Sequence, residues 1–149
     1  NDLSPAICNV PAENYQVAVA WGSYPSASKV VNFSFMPDAK ADCVGLVYRG
    51  GNAGPPMHTQ PWVGEPTDDL VKCGPIDLTR GLAVFVIASN SDIVENPVDP
   101  PFKVREQVVG FGLKVGDALD VKDTSSFSVA RGTANRPLCV MMGFELAAP

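Results

Sequence analysis

Residues 81–89 read GLAVFVIAS, and the fold turns on where this run is placed. Its longest unbroken apolar stretch, Leu82–Ala88, is seven residues long. A membrane-spanning helix needs roughly 20, whereas a short run of this kind suits a strand buried on both faces. The run therefore predicts the central strand of a sheet.

The segments around it carry the two-residue period of strands with one covered face. Leu138–Leu146 (LCVMMGFEL) places Leu138, Val140, Met142, Phe144 and Leu146 on one side and Cys139 on the other. Tyr15–Gly22 sets Val17, Val19 and Trp21 against Gln16, Ala18 and Ala20. Lys29–Met36 groups Val31, Phe33 and Phe35 opposite Asn32 and Ser34, and Asp42–Tyr48 groups Val44, Leu46 and Tyr48. Shorter strands are expected at Leu70–Cys73, Phe102–Val109, Phe111–Val115, Ala118–Val121 and Ser125–Ala130. Gly110 marks a bend, and Val115-Gly116-Asp117 a turn.

Thirteen Gly and 14 Pro are spread along the chain, no segment is a convincing amphipathic helix, and no repeat is visible. Proline breaks helices by removing a backbone donor and clashing with the preceding turn. The reading is an all-β chain, an antiparallel two-sheet β-sandwich or jelly roll of roughly eight to ten strands. At 149 residues, 1–149 reads as one domain able to bury a core. Residues 1–14 (NDLSPAICNVPAEN) read as an extended N-terminal arm, and Asn90–Pro101 as a Pro-rich connection. The absence of an initiator Met suggests a processed chain or an excised domain.

The formal charge is −5, and the 11 basic residues form no run. Nucleic-acid binding draws on clustered positive charge, so no nucleic-acid partner is expected, and the short apolar runs predict no membrane insertion. Cys8, Cys43, Cys73 and Cys139 lie far apart and lack the paired spacing of zinc knuckles. Their even number reads as two disulfides, Cys43–Cys73 and Cys8–Cys139, and so as an extracellular, secreted or virion/cell-surface location. The alternative is four reduced cysteines buried as small hydrophobes.

Catalytic patterns are missing. His58 is the single histidine. That excludes a two-histidine metalloprotease helix and a blue-copper ligand set, and no nucleophile elbow or phosphate-binding glycine loop occurs. Asp117, Asp120 and Asp123 do not have calcium-loop spacing and read as turn formers. No enzyme, metal or cofactor is expected.

The stretch that does suggest recognition is 49–69, RGGNAGPPMHTQPWVGEPTDD, with four Gly, four Pro and no period. Long patternless loops in compact domains are often functional. Beside Tyr48 it carries Asn52, His58, Gln60, Trp62, Asp68 and Asp69. An aromatic platform with amide and carboxylate groups matches the apolar faces and hydroxyl rims of a sugar. Trp62 can equally cap the sandwich edge. Asn32-Phe33-Ser34 matches the N-glycosylation triplet, with Asn32 on the polar side of its strand. Together these readings point to a non-enzymatic extracellular interaction or assembly module of the virion-surface, filament or adhesin type. Its partner is another protein or a second copy of itself. A lectin-like carbohydrate-binding module using 49–69 is the alternative.

Overall fold

The apolar run lies at the centre of a sheet. A computed structural model describes residues 4–10, 15–22, 43–48, 55–89, 100–108, 112–130 and 136–146. These carry the strands β1 (Ser4–Val10), β2 (Tyr15–Trp21), β3 (His58–Val63), β4 (Leu70–Ala88), β5 (Lys103–Val108), β6 (Leu113–Ala130) and β7 (Leu138–Glu145). Among the described residues there is no helix. Five strands form one antiparallel sheet in the order β3-β7-β4-β6-β5, and β1 and β2 form a separate antiparallel ribbon. Among the described residues the structure thus shows an all-β chain with one five-stranded antiparallel sheet and a two-stranded ribbon, fewer and longer strands than the eight to ten expected.

Length explains much of that difference. Leu70–Cys73 and Gly81–Ser89, read separately, belong to the single 19-residue strand β4. Likewise the stretches ending at Val115, Val121 and Ala130 merge into the 18-residue β6. Gly116 marks no turn. A Cβ there would strike the Phe85 ring and the Lys103 carbonyl, so glycine lets the core ring approach the backbone. Gly74 is used differently: its φ of +92° is a conformation that L side chains rarely adopt. It sits with Pro75 where the β4–β6 register shifts, so the missing Pro75 donor falls at an irregularity of the ladder.

The two long strands do not run straight. Extended, the 14 steps from Cys73 to Ile87 would span about 46 Å. Yet Cys73 is bonded to Cys139 with a Cα–Cα distance of 5.6 Å, and Cys139 is the register partner of Ile87. The ribbon therefore folds over its own sheet. The bend lies at the register shifts between Leu78 and Ala83, opposite Asp120 and Asp123, whose φ angles are 56° and 60°.

Folding over gives the sheet a covered first face. Val71, Cys73, Ile76 and Leu78 from the outer half of β4 and Phe127 of β6 pack on Ala83, Phe85, Ile87, Cys139 and Met141. Phe85 and Phe102 each make ring contact with Phe127 at 4.7 Å between centroids. The second face is Val86, Ala88, Val115, Leu138, Val140 and Met142, with Val17, Val19 and Trp21 of β2 and Val44 and Leu46 packed on it. Residues 82–88 are thus buried from both sides, as the apolar run implied, and β7 alternates between the two faces as read.

Other expectations need correction. Within the extended N-terminal arm, Ser4–Val10 is a paired strand, running against β2 from Ser4↔Trp21 to Val10↔Tyr15. Residues 43–48 join no ladder, although Val44 and Leu46 do turn toward the core. The loop 49–69 contains β3, an edge strand whose Pro61 and two-sided exposure erase the usual period. Neither expected disulfide forms: Cys73 joins Cys139, and Cys43 is free and exposed. The bend of β4 over its own sheet is what brings Cys73 to Cys139. Lys29–Met36 with Asn32, Gly110, Asn52 and most of Asn90–Pro101 lie outside the described residues.

Candidate functional site

Residues directly opposite in an antiparallel pair share a face. In β3, His58 pairs with Gly143, Gln60 with Met141 and Trp62 with Cys139. Met141 and Cys139 belong to the first face, so His58, Gln60 and Trp62 line up along it at the sheet edge. Three of the residues singled out by sequence are therefore brought into one row. His58 stands on a strand, where the sequence suggested a loop.

At the His58 end the row opens into a cleft of about 380 Å³ lined by His58, Asp77, Leu78, Thr79, Asp123 and Glu145. Four strands contribute, and the bend of β4 and β6 is what assembles them. Glu145, the last residue of β7, accepts hydrogen bonds from the backbone N–H groups of Thr79 (2.7 Å) and Arg80 (3.2 Å). Those two donors, the Thr79 bond first, hold its carboxyl below the ordinary range. Across the bend Arg80 also pairs with Asp120, both side chains being about half exposed. The cleft presents an imidazole, a hydroxyl and three carboxylates, which suits hydroxyl-rich or cationic groups. Among the described residues no group of three His, Cys, Asp or Glu is placed to hold a metal ion.

At the other end of the row Trp62 is half-buried and packs on the first-face core. Its ring lies over Gly64, where a Cβ would come within 2.6 Å of Trp62 Cη2, and Gly64 N–H donates to the Pro137 carbonyl at 2.9 Å. Here the tryptophan acts as an edge cap.

The remaining predicted residues do not converge. Tyr48 donates its hydroxyl to Asp117 Oδ2 at 2.7 Å, on the β5–β6 side of the sheet, with β7 and β4 between it and β3. Asp117 is almost fully buried and also accepts the Arg105 guanidinium, at 2.9 Å from Nε and 2.8 Å from Nη2. Asp68 accepts the Glu65 N–H at 2.8 Å and closes the turn after β3, and Asp69 is exposed next to the start of β4. Asp77, Thr79 and Glu145 were missed, and Asp123 was read only as a turn former, because only the bend relates them. The alternation of Asp77 against buried Ile76 and Leu78 was the one available sign that 74–80 is strand.

Comparison with protein-family models, with curated proteins and with solved structures returns no match to this chain.

Proposed function

We propose that the chain is a non-enzymatic extracellular interaction or assembly module, of the virion-surface, filament or adhesin type, that docks its partner along β3. The observation that carries this reading is the contrast between the sheet's two edges among the described residues. β5, at one edge, presents Lys103, Arg105 and Glu106, the charges by which edge strands discourage further pairing. β3, at the other, reads HTQPWV, carries no Asp, Glu, Lys or Arg, and is exposed at every position except half-buried Trp62. Such an edge suits an added strand, with Pro61 limiting the register at which it can be added. The buried Cys73–Cys139 bridge is consistent with an oxidising, extracellular setting. The scattered basic residues support the absence of a nucleic-acid partner. The fuller architecture belongs to the same proposal: the alternation of Val31, Phe33 and Phe35 supports further strands that would complete a two-sheet sandwich or jelly roll.

The test is light scattering across a wide concentration range for the wild type and a Thr59→Lys/Gln60→Lys variant. Association present in the wild type and lost in the folded variant is expected for self-assembly through β3. A concentration-independent monomer in both would reject self-assembly. The lectin-like alternative is favoured by the His58–Gln60–Trp62 row running into a polar cleft. A glycan array with hits abolished by His58→Ala and Gln60→Ala would establish it, and an array without hits would dismiss it.

A further inference from the structure

The outer half of the β4–β6 ribbon stands apart from the rest of the sheet. Leu70–Leu78 and Asp123–Ala130 pair with each other, whereas β7 joins β4 over Gly81–Ala88 and β5 joins β6 over Leu113–Asp117. Among the described residues no third strand is hydrogen-bonded to this outer half. Where it meets the sheet, the register shifts between Leu78 and Ala83, and Asp120 and Asp123 adopt left-handed φ angles. The polar contacts across that bend, Arg80 with Asp120 and Glu145 with the Thr79 and Arg80 amides, are exposed to solvent and weak for that reason. One covalent bond ties the outer half to the layer beneath it, Cys73 to Cys139.

We propose that this half-ribbon is a redox-latched flap. With the disulfide intact it closes over Phe85 and Phe102 with its own Phe127; with the disulfide reduced it opens about the bend as a unit while the five-stranded sheet persists. A dithiol supplies the chemistry. Its thiolate attacks one Sγ, the Sγ–Sγ bond breaks and a mixed disulfide forms; its second thiol then displaces the protein sulfur. The dithiol leaves as a disulfide, and Cys73 and Cys139 gain two electrons and two protons between them. Both cysteines are buried, so a dithiol reaches them only through a transient partial opening of the closed flap, and reduction then frees the flap to lift fully. Opening uncovers Ile76, Leu78 and Phe127 on the flap and Phe85, Ile87 and Met141 beneath it, a conditional apolar surface separate from the β3 edge.

Hydrogen exchange on the full chain tests the latch, comparing the oxidised protein, the same protein in dithiothreitol, and a Cys73→Ala/Cys139→Ala variant. Exchange in 70–78 and 123–130 is expected to accelerate about tenfold or more on reduction, with 82–88 and 138–144 unchanged. The double variant should reproduce that pattern without reductant. Acceleration everywhere at once, a double variant that cannot fold, or no acceleration in the outer half would each overturn the proposal.

Discussion

Tyr48 and Asp117 show how little of a buried polar contact a local sequence window contains. The two are separated by 69 positions, and alternation placed Tyr48 on the core side of its segment without indicating a carboxylate opposite. Burial raises the Tyr48 hydroxyl well above its ordinary range, and the bond to Asp117 raises it further. A phenol held protonated by the fold stabilises it below the ordinary tyrosine range, and that contribution is lost as pH rises above about 10. Of the three tyrosines, one is therefore expected to ionise late when tyrosinate absorbance is followed to high pH. Tyr48→Phe should remove that late component, and its persistence in the variant would place the perturbed group elsewhere. Glu145 works with the opposite sign. Its lowered pKa means that the bonds to Thr79 and Arg80 contribute above the ordinary glutamate range and are lost as pH falls through the depressed value. Thermal melts should show Glu145→Gln less stable than the wild type at pH 7, with the gap closing toward pH 3. Equal melting temperatures at pH 7 would show that the carboxylate contributes nothing.

β4 shows which elements the sequence makes legible. Its inner half is an unbroken apolar run with a layer on each side, so hydrophobicity alone identifies it as central, and the single-faced strands β2 and β7 declare themselves by alternation. The outer half of β4 alternates too, but Gly74 and Pro75 interrupt it, and the interruption reads as an end. β3 was illegible for another reason: an edge strand exposed on both faces has no buried stripe to show, and proline is tolerated there because its missing donor faces away from the ladder. Both hidden elements frame the candidate site, which is why His58 and Gln60 could be named but not placed beside Asp77 or Glu145. Packed between the two halves of β4 is Phe85 of the inner half, wholly buried with its ring edge-on to Phe127. Phe85→Ala should destabilise the fold by about 3–5 kcal/mol in urea titration, the cost of a buried ring plus the cavity it leaves. Gly116→Ala should cost about 1–3 kcal/mol through the opposite fault, a methyl pressed into that same ring. If Gly116→Ala proved neutral, the close approach of Phe85 to the β6 backbone would be wrong.

At the scale of the whole molecule, the cysteine pairing carries the topology. Sequence supplied the four positions and an argument for oxidation but not the pairing, because Cys73 and Cys139 meet only once the ribbon has bent over its sheet. The bridge closes a sequence separation of 66. Chain entropy assigns a loop of that length a stabilisation of about 4 kcal/mol, acting mainly by restricting the unfolded chain. A non-reducing peptide digest is expected to yield Cys73 and Cys139 in one linked product, with Cys43 alkylated in the native protein because its thiol is exposed. Reduction should then lower the denaturant midpoint, while Cys43→Ser leaves it unchanged. A product linking Cys43 to Cys73 would require 43–48 to pack on the first face of the sheet. That would conflict with Val44 and Leu46 on the second, so the digest tests the layering of the fold along with its covalent connectivity.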